Sequence, residues 1–103
     1  MQSEMTYRNR ALLDIAHDAP CFAQFPHVCR GQVVAAHSNQ QAHGRGAYHK
    51  ADDFLIAAMC QEAHDLVDGR KGGWTREEKH SEWNRAHVAT WRWFWENEKV
   101  RIA

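Results

Sequence analysis

The chain has 103 residues, of which 44% are hydrophobic and 25% charged, a composition that excludes global disorder and suits one domain with a small core. Thirteen Lys and Arg balance thirteen Asp and Glu, so any affinity for nucleic acid has to come from a local patch rather than from overall charge. No stretch approaches the roughly 20 apolar residues of a membrane-spanning helix, and no basic start runs into an apolar segment of signal-peptide type.

The first predicted element lies in residues 1–19: a short helix over Arg8 to His17 with Leu12, Leu13 and Ile15 as its apolar members, stopped near Pro20. Residues 20–69 carry the unusual chemistry. Cys21 and Cys29 come first, then a β-leaning Val33-Val34 run that ends at His37. A polar loop from Ser38 to Lys50 follows, with Gly44 and Gly46, and the block closes on Cys60 and His64. Residues 74–98 form the clearest element, a long helix predicted from Thr75 to Glu98. Thr75 with Glu78 three residues on is a capping box, and Trp83, His87, Trp91 and Phe94 recur on one face. That face is expected to be buried, by this domain or by a second copy in a homodimer. A base-stacking platform of Trp91, Trp93 and Trp95 is the other reading, but such alternation scatters rings around a helix.

Three cysteines cannot all pair with one another, and together with the lack of a signal segment they point to a reduced, cytoplasmic protein. Cys21, Cys29 and Cys60 suggest two short knuckles around one zinc ion. A closed tetrahedral site needs four ligands, so the fourth has to be a histidine such as His27 or another group; the plain alternative is three small buried thiols. The eight histidines are the other departure, because imidazole is both the commonest metal ligand and a base poised near neutral pH. His37 stands where a strand runs out into a glycine-containing loop, anchored yet open to substrate, with hydrogen-bonded scaffolding as the plain alternative for a lone histidine. Asp53, and then His64 within Cys60-Gln61-Glu62-Ala63-His64-Asp65, add a carboxylate and a second imidazole. These are the parts of a metal-assisted phosphodiesterase: oxygen and imidazole ligands for a hard cation, and an imidazole outside the coordination sphere to take a proton from water. Arg45 and Lys50 beside the loop are the candidate DNA contacts, with Arg70 and Lys71 further on; a solvated surface is the competing explanation for such charges.

The ordered set Ala19-Pro20-Cys21, Pro26-His27-Val28-Cys29, Ala36-His37-Ser38-Asn39, His43-Gly44-Arg45-Gly46, Lys50-Ala51-Asp52-Asp53 and Cys60 through Gly69 resembles the YbcO-like family of small phage nucleases, within the wider HNH group. The likeness continues into Thr75-Arg76-Glu77-Glu78-Lys79, Trp83 and Ala86-His87. It implies an α+β fold, a small HNH-like ββα-metal domain with a zinc-knuckle-like element and a long C-terminal helix, working in the cytoplasm of a bacterial host. It further implies a DNA endonuclease in which His37 is the general base and His64, with Asp53, holds Mg²⁺ or Mn²⁺. Two departures stand out. Ala63 replaces the second cysteine of the family's Cys-x-x-Cys-His, so a zinc thiolate is missing. Ala36 replaces the aspartate or histidine ligand that many of these enzymes carry just before the base. Asn39, His43, His49 and Asp68 are the residues that can complete the site. A catalytically inactive HNH-fold module that binds nucleic acid or protein is the alternative function.

Overall fold

The computed structural model describes residues 7–29, 32–40, 51–69 and 73–102. Their order is α1 (Arg10–Ala16), β1 (Val33–His37), β2 (Ile56–Cys60), α2 (Gln61–Asp68) and α3 (Arg76–Glu96), an α+β arrangement built on one antiparallel strand pair. The register sets Val33 opposite Cys60 and His37 opposite Ile56. None of the described helices is long and apolar enough to cross a membrane.

Alanine makes the hairpin a thin slab that helices can approach from both sides. Ala36, Ala57 and Ala58 are at most 1% exposed, and every residue of β2 is buried. On one face Ala36, Ala57 and Met59 pack with Ala63 and Val67 of α2 and with Trp83 and Ala86 of α3. On the other, Ile56 and Ala35 meet Leu12 and Ala16 of α1 and Phe94 near the end of α3. The long helix therefore serves both faces, its first half against α2 and its second against α1.

Buried backbone polar groups need partners, and the shared face of α3 supplies them. Trp83 Nε1–H donates to Ala36 O at 3.0 Å, His87 Nδ1 lies 2.7 Å from Ile56 O, and Trp91 Nε1–H donates to Phe54 O at 2.9 Å. Thr90 Oγ1 accepts from Ala58 N–H at 2.8 Å while donating to Ala86 O at 2.7 Å. The carbonyl of the same Ala58 accepts from Phe22 N–H at 3.0 Å, and Cys60 N–H donates to Cys21 Sγ at 3.2 Å. Helix side chains and the cysteine loop thus cover backbone that a two-strand sheet would otherwise leave bare.

Helix ends follow from local chemistry. Asn9 caps α1 by accepting from Leu12 N–H. Thr75 and Glu78 form the expected capping box on α3, at 3.0 and 2.7 Å. The helix runs Arg76–Glu96, shorter at its end than the predicted Glu98, because Asn97 closes it and Glu98 turns to a positive φ of 55°. Trp83 and Phe94 are buried, Trp91 and Trp93 pack edge-on around Phe94, and Trp95 is 60% exposed, which is the scattering expected of alternating tryptophans.

Candidate functional site

His37 ends β1, and its Nε2 lies 2.8 Å from Oδ1 of Asp53, a carboxylate only 4% exposed. Three segments meet here. Asp53 Oδ1 also accepts from Arg8 at 3.2 Å, and Oδ2 accepts from Asn9 N–H at 2.6 Å. Around them Arg8 donates to Ala51 O, Tyr7 N–H to Asp52 Oδ1, and Asp53 N–H to Tyr7 O, so residues 7–9 are zipped to 51–53. Burial by itself pushes the Asp53 carboxyl up. The hydrogen bonds from His37 and Asn9 and the charges of His37 and Arg8 outweigh it, leaving the carboxyl below the ordinary aspartate range. The expectation for Asp53 was a cation shared with His64; its described contacts are with His37, Arg8 and Asn9. Nothing in the sequence marks Arg8 and Asn9 as partners of Asp53, since at 45 and 44 residues from it no spacing rule signals them.

The second group is carried by α2, which follows β2 directly and brings its last turn to the residues just after β1. Asn39 Nδ2 donates to Asp68 Oδ1 at 3.0 Å, and the other oxygen of Asp68 lies 4.0 Å from His64 Nε2. Gln61 donates to Asp65 at 2.9 Å and stands 3.3 Å from His64 Nδ1. In that arrangement Nδ1 accepts and the ring hydrogen sits on Nε2, facing Asp68. Buried Ser38 steadies the turn by accepting from Gln40 N–H at 3.1 Å, and its own N–H donates to Leu55 O. An open groove of about 640 Å³ adjoins this group, lined by Asn39, Gln40, Asp68, Arg76, Lys79 and His80 among others. His64, Asp68 and Asn39 are therefore brought together, and His37 is joined to Asp53. Ala36, which offers no ligand atom, is packed in the core against α2 and Trp83. His43, Arg45, His49 and Lys50, with Arg70 and Lys71, lie outside the described residues.

The third group unites the cysteines with a histidine. Cys21, His27, Cys29 and Cys60 each offer a ligand atom, and these atoms all lie within 4.8 Å of one another, a set that can hold a metal ion such as zinc. Cys60 is fully buried at the junction of β2 and α2, Cys29 is exposed, and none of the three forms a disulfide. The Cys29 thiol is pushed up from 9.0 to about 12, first by hydrogen bonds with Cys60 and Cys21, then by desolvation and by charge on the same two sulfurs. Crowded by the other two sulfurs, the Cys29 thiol keeps its proton unless a cation takes its place.

Comparison of the chain with protein-family models, with curated proteins and with solved structures found no match.

Proposed function

We propose that the chain is a metal-dependent endonuclease of the HNH kind that hydrolyses phosphodiester bonds in DNA. The observation that carries this reading is the His37–Asp53 pair, a buried carboxylate gripping an imidazole at the end of a strand. With Nε2–H donated to Asp53, the lone pair of His37 is on Nδ1. There it takes a proton from water as the water oxygen bonds to phosphorus and the bond to the 3′ oxygen breaks; the departing oxygen is protonated by solvent, and no covalent intermediate forms. Asp53 stabilises the imidazolium, and Arg8 and Asn9 keep the carboxylate ionised and aimed.

His64, Asp68 and Asn39 offer one imidazole and two oxygen-bearing side chains, a donor set that fits Mg²⁺ or Mn²⁺. When bound, the cation would offset the negative charge that gathers on the phosphate and the departing oxygen. Ligation through His64 Nε2 requires its proton to move to Nδ1 and the Gln61 amide to turn its oxygen toward the ring. In this reading Asp53 orients the base, and Asp68 takes the metal role first expected of Asp53.

The test is cleavage of single-stranded, duplex and branched DNA with Mg²⁺ or Mn²⁺. Wild type should nick or cut. His37→Ala should lose on the order of a hundredfold or more while binding Mn²⁺ normally, and His64→Ala should bind Mn²⁺ more weakly. A second reading, a nucleic-acid or protein-binding module without activity, draws on Ala36, which is 1% exposed and offers no ligand atom. Binding without cleavage under Mg²⁺, Mn²⁺, Ni²⁺ and Zn²⁺ would favour it.

A further inference from the structure

We infer that Cys21, His27, Cys29 and Cys60 are the complete ligand set of a structural zinc ion, with Nε2 of His27 as the one nitrogen ligand beside three thiolates. The inference is independent of the nuclease reading, since it concerns how the domain is held together.

Geometry is the first argument. Zinc bonds of about 2.3 Å to sulfur and 2.0–2.1 Å to nitrogen, at a tetrahedral angle, put a sulfur and a nitrogen ligand about 3.6 Å apart and two sulfurs about 3.8 Å apart. Cys21 Sγ and His27 Nε2 are 3.7 Å apart, and no pair of the four ligand atoms exceeds 4.8 Å. The tautomer is the second. His27 Nδ1 lies 2.5 Å from Phe25 O, a carbonyl that can only accept, so the hydrogen is on Nδ1 and the lone pair of Nε2 faces the sulfurs. A metal-bound histidine commonly has its other nitrogen fixed in this way.

The supports around the ligands agree. Cys60 N–H donates to Cys21 Sγ and so fixes the position of that sulfur, and Cys60 is itself the N-cap residue of α2, held where the strand passes into the helix. The loop carrying Cys21 and His27 is clamped to α3. Glu82, 7% exposed, accepts from Gln24 N–H and from Phe25 N–H, the latter at 2.9 Å. Arg85 bridges Glu82 and Phe22 O, and Phe25 stacks on Trp74 with ring centroids 4.1 Å apart. Four protein ligands close a tetrahedral shell and leave no position for substrate, which marks the site as structural.

Metal analysis and X-ray absorption on wild-type protein purified under reducing conditions test this without any variant. One zinc per chain, with three sulfurs near 2.3 Å and one nitrogen near 2.0 Å, is expected. His27→Gln should weaken zinc binding by about a hundredfold or more in competition with a chromophoric chelator, and His27→Cys should restore tight binding with four sulfurs. Protein that carries no zinc and takes up none when it is offered would overturn the site. Zinc bound by three sulfurs and an oxygen, with affinity unchanged in His27→Gln, would overturn the role of His27.

Discussion

Two oxygens on Asp53 receive three donors, from His37, Arg8 and Asn9, at 2.8, 3.2 and 2.6 Å. Charge-assisted bonds of this kind are stronger than neutral ones, and in a site so little exposed the loss of the charge leaves its donors poorly matched. Asp53→Asn should therefore lower stability by about 1–3 kcal/mol in urea titrations at neutral pH. The pH dependence has a definite sign. Because the folded-state carboxyl titrates below the unfolded value of about 3.9, its contribution is fully present above that value and is lost as pH falls through the lowered native one. The stability gap between wild type and Asp53→Asn should hold from pH 7 to about 5 and close on further acidification. A gap that persists unchanged to pH 2 would contradict this. In the nuclease reading the same variant leaves His37 in place but without its anionic partner, so cleavage should fall further than the stability loss explains.

At the scale of elements, Thr90 shows what pattern reading misses. A hydroxyl in the middle of an aromatic-rich helix carries no signal of its own, yet it is fully buried and satisfies Ala58 N–H of β2. Thr90→Val keeps the shape and removes the acceptor, and should cost about 1–3 kcal/mol in chemical denaturation with the helix content unchanged. Gly69 is a second such position. A Cβ there would fall inside contact distance of Asp65 O, the carbonyl that accepts the N–H closing α2. Gly69→Ala should loosen the last turn of α2, shown by faster amide exchange at Val67 to Gly69, and disturb the Asn39–Asp68 bond. The capping box of α3 and the Val33-Val34 run were readable because caps and β-branched runs act locally. Strand β2 was not readable from its residues: Ile56 to Cys60 is buried throughout, so it shows no alternation of apolar and polar side chains. The hairpin was expected only from the family resemblance.

For the whole molecule, the core is made largely of small side chains, with Ala16, Ala36, Ala57, Ala58, Ala63 and Ala86 all at most 1% exposed. Alanine buries little apolar area, so a chain of this size gains less from packing than one filled with Leu and Ile. The cysteine cluster joins the loop of Cys21 to Cys29 to the junction of the hairpin with α2, which Cys60 occupies. The sulfur positions were legible in the sequence as recurring thiols, and His27 as a candidate fourth ligand. The clamp by Glu82 and Arg85 was not, since it bridges residues 57 to 63 positions apart. If the ion ties these segments together, zinc binding is coupled to folding. Free zinc at roughly a thousand times its dissociation constant adds about 4 kcal/mol, which for a domain near 100 residues raises Tm by on the order of 15–30 °C. Calorimetry of reduced protein with buffered zinc and with excess chelator should show this difference, and added zinc should reverse it. Cys29→Ser removes an exposed ligand with little effect on packing, so its Tm should lie near that of the chelated wild type and respond far less to zinc. Equal Tm values for wild type with zinc and with chelator would mean that the domain stands on its alanine core alone, and that the four ligands do not form a structural metal centre.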